Sequence, residues 1–250
     1  MKKAIVTGAS SGIGREIALE LSRKGYYIIL VARREDRLKE LLSRLANGGE
    51  IFACDLKSRE NCEKLYDAYK NEEIGVLVNN AGFGVFGEFC ETDLNRDLDM
   101  IELNICALHT LTKLFLKDML NRNEGYILNV SSLAAFMSGP LMGAYYASKA
   151  YVLRLSRAVS KEIKHSNVNI SVLCPGPVDT EFNRVAGVRF AVKPESPEFT
   201  ARLAVRRPLP EVDIDFGAAH LVVHPGTSAP ARAYPAKRWV AVVAALTAVG

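Results

Sequence analysis

Six short apolar runs, rich in Val, Ile and Leu, recur between Lys3 and Gly176, and they limit the possible folds more than any other feature. They are KAIVTGA (3–9), YYIILVA (26–32), EIFACD (50–55), VLVNNAG (76–82), GYILNVSS (125–132) and NISVLCPG (169–176). Their nearly unbroken apolar character suits strands covered on both faces. Amphipathic stretches separate them at 13–24, 35–46, 59–71, about 95–121 and about 143–165, the first two stopping at Gly25 and near Asn47-Gly48. A glycine just past the periodic residues is a common helix stop. Strand–helix–strand repetition with right-handed crossovers implies an α/β fold: a Rossmann-type, doubly wound parallel sheet in three α/β/α layers.

Charge and composition exclude several classes of function. The net charge of +4 is spread along the 250 residues without a polybasic block, so no nucleic-acid partner is expected. AIVTGA is too short for a secretory signal and the apolar C-terminal KRWVAVVAALTAVG too short to span a bilayer, so no membrane association is expected. The five cysteines form no C-x-x-C pair, which suggests reduced thiols and a cytoplasmic protein. The four histidines form no ligand cluster, so no metal is expected.

The first strand runs into TGASSGIG (7–14), with Gly8, Gly12 and Gly14 at a strand-to-helix turn. Missing Cβ atoms let backbone N–H groups approach a pyrophosphate at the positive end of the helix that starts near Ile13. The later glycine lets that helix pack closely on the strand. NNAG (79–82) ends the fourth strand with small and polar residues, as a plain turn would, or as backbone lying against a nucleotide would. AYYASKAY (144–151) sets Tyr145 four residues and Tyr146 three residues ahead of Lys149. Residues i and i+4 share a helix face, so Tyr145 and Lys149 can enter one cleft, whereas Tyr146 is turned about 100° away. A free tyrosine has a pKa near 10, and each unit of lowering requires about 1.4 kcal/mol, for which a nearby ammonium is one source.

Together TGASSGIG, NNAG, Asn104 within LNICALHTLT, Ser132 in NVSS, Tyr145-x-x-x-Lys149 and PGPVDT (175–180) resemble the short-chain dehydrogenase/reductase family in order and spacing, over residues 1 to roughly 190. The resemblance implies one dinucleotide-binding oxidoreductase domain over 1–250. It implies Tyr145 as general acid/base, Ser132 as hydrogen-bond donor to the substrate carbonyl, and Lys149 as partner of the nicotinamide ribose. Asn104 would hold a water that links Lys149 to solvent. The cofactor would be held by Gly8, Ser10, Ser11, Gly12, Ile13 and Gly14, by Arg33, Arg34, Asp55 and Leu56, and by Asn80, Ala81 and Gly82. Tyr145, Lys149, Pro175, Gly176, Val178 and Thr180 complete that set. A non-catalytic NADP(H)-binding sensor or scaffold is the alternative, but it has no need of Tyr145 and Ser132 together.

The second strand ends LVARRED, with Ala32 where an NAD-binding chain of this fold carries an acid. Arg33 follows, and a guanidinium grips a 2′-phosphate with paired hydrogen bonds. The expected cofactor is therefore NADP(H), with Arg33 first and Arg34 assisting. The substrate would be a small carbonyl or alcohol compound in an apolar pocket made by 82–89, 134–140, Tyr146 and 181–190. The family commonly pairs subunits through the two long helices, which implies a homodimer or homotetramer.

Beyond Pro194 the composition changes: Lys237 is the sole lysine and asparagine disappears. Segment 195–250 is expected to be loosely attached and open to proteolysis beyond about 207. A helix is expected at 197–207, a strand at 220–226 and a short helix at 236–248, with loop between the first two.

Overall fold

The computed structural model describes residues 1–187 and 194–205 and the backbone of 220–224. The chain forms β1 (Lys3–Thr7), α1 (Gly12–Arg23), β2 (Tyr27–Ala32), α2 (Glu35–Leu42), β3 (Gly49–Ala53), α3 (Arg59–Tyr69) and β4 (Ile74–Asn79). There follow α4 (Leu94–Ile101), a π-helical segment (Glu102–Ala107), α5 (Leu108–Arg122), β5 (Gly125–Val130) and a 3₁₀ turn (Leu133–Phe136). The last elements are α6 (Gly143–Glu162), β6 (Val168–Pro175), α7 (Glu181–Ala186), α8 (Pro197–Ala204) and β7 (His220–His224). The expected helix at 236–248, the loop before β7 and residues 188–190 of the expected pocket wall lie outside the described residues.

All pairings are parallel, in the order β3-β2-β1-β4-β5-β6-β7. Strand order reverses between β1 and β4, and the carboxyl ends of those strands open the crevice where a doubly wound sheet binds its ligand. Alternate residues of each strand feed opposite faces. Ala4, Val6, Ile28 and Leu30 pack under α1, α2 and α8. Ile5, Ile29, Val31, Leu77 and Ile127 pack under α3 and α5 and the end of α6. Fully burying such a side chain contributes roughly 1.5–3 kcal/mol, so two covered faces require continuous apolar runs rather than alternation. Beyond Pro194, Ala201 and Ala204 of α8 join the first of these cores, and Lys24 Nζ donates to the Val205 carbonyl at 2.6 Å. Among the described residues no helix is long and apolar enough to cross a membrane.

Two expectations change. The second helix ends at Leu42, not at 46; Ser43 Oγ donates to the Glu40 carbonyl at 2.8 Å, a side-chain bond that competes with helix continuation. The single helix expected at 95–121 is interrupted by the π-helical segment, centred on Asn104. An asparagine is a poor helix interior residue, and here its amide bonds to another part of the chain. Asn104 Oδ1 accepts from Phe83 N at 3.1 Å, and Nδ2 donates to the Phe83 carbonyl at 3.0 Å and to Ser148 Oγ at 3.1 Å.

Candidate active site

Except at β2, the strands stop one to three residues before the apolar runs do, and those surplus residues build the site. After β1 the chain turns at Gly8 with φ of +67°. A Cβ there would lie 2.9 Å from Ala81 Cα, and a Cβ on Gly14 would lie 2.5 Å from the Gly8 carbonyl oxygen. Only glycine permits this packing of α1 against the ends of β1 and β4. Thr7 Oγ1 fastens the two strand ends together. It donates to the Val78 carbonyl at 3.1 Å and accepts from Asn80 N at 2.9 Å and Ala81 N at 3.1 Å. Asn80 Nδ2 then returns to the Thr7 carbonyl at 3.0 Å.

A cleft of about 660 Å³ runs across this edge, from Arg33, Arg34, Asp55 and Leu56 past the glycine turn to Ser132, Tyr145 and Lys149. Of the expected cofactor and catalytic residues, Gly8, Ser10, Ser11, Gly12, Ile13, Asn80, Ala81, Gly82, Pro175, Gly176, Val178 and Thr180 also line it. Gly14 and Asn104 do not; one is a packing contact and the other is buried behind the wall, 1% exposed. The volume suits a small-molecule cofactor, and the exposed backbone of the turn lies at the positive end of α1. These residues fit a dinucleotide.

At the far end, Ser132 caps the 3₁₀ turn: its Oγ accepts from Ala134 N at 3.1 Å, and the hydroxyl hydrogen-bonds Tyr145. That bond favours the phenolate, the sense of a serine O–H donating to the Tyr145 oxygen. Tyr145 and Lys149 lie on the inner face of α6, both buried, and Lys149 Nζ is 5.8 Å from the Tyr145 ring centre. Ser131 Oγ donates to the Lys149 carbonyl at 2.8 Å and fixes this part of the helix to β5.

Burial sets the ionisation of both groups. It pushes the Tyr145 phenol up to about 12, opposed by the Ser132 hydrogen bond. It pushes the Lys149 ammonium down to about 8. The ammonium was expected to lower the phenol's pKa. Instead the loss of solvation around the buried phenolate prevails, and Lys149 Nζ turns toward the Val130 carbonyl at 3.0 Å.

Tyr146 behaves as a wall residue. Its ring meets that of Tyr145 edge-on at 6.2 Å and lies over Gly139, where an added Cβ would fall 2.2 Å from the ring. Phe182 of α7 covers Tyr145 from the other side at 5.3 Å. Of the expected pocket wall, Gly82, Phe83, Ala134, Met137, Tyr146, Glu181, Phe182, Asn183 and Val185 line the cleft. Met142, Arg96 and Asp99 line it too, and no motif pointed to them; Leu103, which opens LNICALHTLT, lines it beside them. Thr7, Ser131 and Cys174 also went unassigned. Each ends or nearly ends a strand with a small polar side chain, which the apolar pattern treats as filler.

At the adenine end the two arginines part. Arg33, which sequence placed first, is 67% exposed and stands 3.8 Å from Asp55 Oδ2. Arg34 folds over the glycine turn, its Nη2 donating to Ser10 Oγ and Ser11 Oγ, each at 3.0 Å.

Residues 2–187 match the short chain dehydrogenase family. A very-long-chain 3-oxoacyl-CoA reductase of Mycosarcoma maydis is 36% identical over 179 residues, 68% of this chain, which spans only 51% of that relative's length. A short-chain dehydrogenase from Sphingobium yanoikuyae in complex with NADPH superposes with a TM-score of 0.83 at 27% identity, covering 100% of this chain and 95% of that one. One from Burkholderia phymatum in complex with NAD gives 0.73 at 26% identity, covering 81% and 83%.

Proposed function

The chain belongs to the short-chain dehydrogenase family, whose members act as oxidoreductases on C=O and CH–OH groups, and we propose that it moves a hydride between NADP(H) and an apolar carbonyl/alcohol pair. The observation that carries this reading is the Ser132–Tyr145 hydroxyl pair, held beside Lys149 in the same cleft as the glycine turn. A protein that only binds a dinucleotide has no use for that pair. When bound, the cofactor supplies or accepts the hydride, and the chain supplies orientation and a proton.

In reduction, the Ser132 proton turns from Tyr145 to the substrate oxygen and fixes the carbonyl, and Tyr145 gives its own proton to that oxygen as it becomes an alkoxide. The high pKa of the buried phenol keeps it protonated at neutral pH, ready to donate. Lys149 carries the positive charge that favours proton release from Tyr145 and holds the nicotinamide ribose. Asn104 is a positioning residue: its amide ties Phe83 to the π-helical segment, past which a water chain from Lys149 can reach solvent. Gly8 to Ile13, Asn80 to Gly82 and the 175–180 segment hold the dinucleotide, with Gly14 packing α1 beneath them and Asp55 and Leu56 at the adenine.

The preference for NADP(H) over NAD(H) rests on the two guanidiniums that follow β2 and on the absence of an acid at Ala32. The NADPH-bound neighbour supports it. Met137, Met142, Tyr146 and Phe182 give the substrate end an apolar wall, and a relative is named for 3-oxoacyl-CoA reduction. The five free thiols fit a cytoplasmic setting. The test is a panel of apolar ketones, aldehydes and a 3-oxoacyl thioester, each followed by loss of NADPH absorbance. Turnover of at least one, abolished by Tyr145→Phe, is expected; NADPH binding with no turnover across the panel would favour the sensor reading.

A further inference from the structure

Glu181, the first residue of α7, reaches across the mouth of the cleft to the arginine that overlies the glycine turn. Its Oε2 lies 2.8 Å from Arg34 Nη1, and its Oε1 lies 3.8 Å from Arg37 Nη2 and 3.8 Å from Arg184 Nη2. The Ser11 hydroxyl also hydrogen-bonds it, and these donors hold the carboxyl below its usual range. Three guanidiniums and a hydroxyl, drawn from the starts of α1 and α2 and from α7, thus converge on one carboxylate. A ribose 2′-phosphate requires a closely similar set of donors. The next residue, Phe182, rests on the Tyr145 ring at 5.3 Å, and its tip limits the space at Gly84, where an added Cβ would be 3.0 Å away. One short helix therefore engages the cofactor end of the cleft with a charge and the catalytic end with a ring.

We infer that Glu181 is a built-in stand-in for the 2′-phosphate of NADP(H), and that exchange of the one anion for the other releases α7 and moves Phe182 off Tyr145. The inference rests on the NADP(H) reading above. Two anions cannot share Arg34 at close range without mutual repulsion, so the phosphate displaces the carboxylate. NAD(H) lacks the 2′-phosphate with which to do this. Glu181 is thus a specificity-determining residue: it taxes NADP(H) binding, and it makes access to Tyr145 depend on the 2′-phosphate rather than on the dinucleotide alone.

The experiment titrates NADPH and NADH into the full chain and into Glu181→Gln by fluorescence quenching or calorimetry. The amide keeps the shape and removes the charge. A partly exposed ion pair of this kind is worth about 1 kcal/mol or less, so NADPH should bind the variant up to about fivefold more tightly, with NADH nearly unchanged. In the wild type, NADPH but not NADH should speed chymotryptic cleavage after Phe182; in the variant, cleavage should be fast without either. Weaker or unchanged NADPH binding by Glu181→Gln, in a wild-type protein that does prefer NADPH, would overturn the stand-in role and leave the cofactor reading intact. No NADPH preference in the wild type would overturn both.

Discussion

Lys149 Nζ donates to the carbonyl oxygen of Val130 at 3.0 Å, so the charge of α6 is anchored to the last residue of β5. That anchor faces the Lys149 head toward the end of the strand from which Ser132 hangs. The direction of the ammonium is therefore fixed by the backbone of the sheet, in a setting where burial has already brought its pKa to about 8.

The pH dependence of reduction follows from these two ionisations. Both Tyr145 and Lys149 act in their protonated forms, and Lys149 loses its proton first, near pH 8, well before Tyr145 near 12. kcat/KM for carbonyl reduction should be flat below about pH 8 and fall about tenfold per unit above it. A profile level to pH 10 would contradict the role given to Lys149. The same shift affects stability: with the folded pKa below the unfolded value of 10.5, the unfolded chain binds more protons between about 8 and 10.5. This one group therefore makes stability rise with pH in that window.

The adjacent tyrosines should separate cleanly. Tyr145→Phe removes the proton donor and should cut kcat by about 100-fold or more while NADPH affinity holds within about twofold. Tyr146→Phe keeps the ring over Gly139 and should retain most activity. Steady-state kinetics beside cofactor titration decides it, and equal loss in both variants would count against the assignment.

Asn104→Ala would remove the partner of the part-buried N–H and carbonyl of Phe83 and one of the two bonds of the buried Ser148 hydroxyl. Loss of about 2–3 kcal/mol in urea unfolding is expected, with kcat reduced as the wall behind Gly82 loosens. Unchanged stability would mean that those groups find other partners.

The two arginines should differ in the cofactor they discriminate. Arg34 is the one drawn to Ser10 and Ser11, so Arg34→Ala should weaken NADPH by about tenfold or more, Arg33→Ala by less, and neither should alter NADH much. Titration of both cofactors into both variants measures it. An unchanged NADPH-to-NADH ratio in the two would remove the argument for a phosphate site.

A homodimer or homotetramer, paired through the long helices α4–α5 and α6, is the expected assembly. Leu94, Leu98, Leu120 and Tyr151 are exposed on these helices, with Tyr151 OH 2.7 Å from His109 Nδ1 across α5 and α6. Sedimentation at micromolar concentration should give at least twice the monomer mass, and Leu98→Lys should shift it toward monomer. A wild-type monomer would contradict this.

Much of the fold was legible because a buried parallel sheet leaves an unmistakable trace, and Ala4 to Val6 or Ile28 to Val31 can hardly be read otherwise. The glycine turn, Ser132, Tyr145 and Lys149 were legible because their spacing is set by a strand end and a helix pitch. What escaped depends on contacts distant in sequence. Nothing local in LNICALH announces that Asn104 will bond Phe83 and open the helix into a π turn. Nor does RRED reveal which guanidinium meets Ser10, since Glu181, 147 residues from Arg34, helps to decide it. The ionisation of Tyr145 was misjudged for a similar reason: pairing with Lys149 can be counted along a helix, whereas depth of burial belongs to the whole fold.

The Thr7 hydroxyl, bonded to three backbone groups at the end of β4, makes the glycine turn and NNAG a single rigid piece. The opposite wall is held differently, by the Glu181–Arg34 ion pair over the turn, by Phe182 against Tyr145 of α6, and by Arg96 Nη2 donating to the Val185 carbonyl at 3.3 Å. For an engineer the cleft is therefore modular. Residues around Phe182 and Val185 can be exchanged to admit bulkier ketones while the half that receives the dinucleotide keeps its shape. Substitution at Thr7 would disturb the glycine turn and NNAG together, though it touches neither substrate nor hydride.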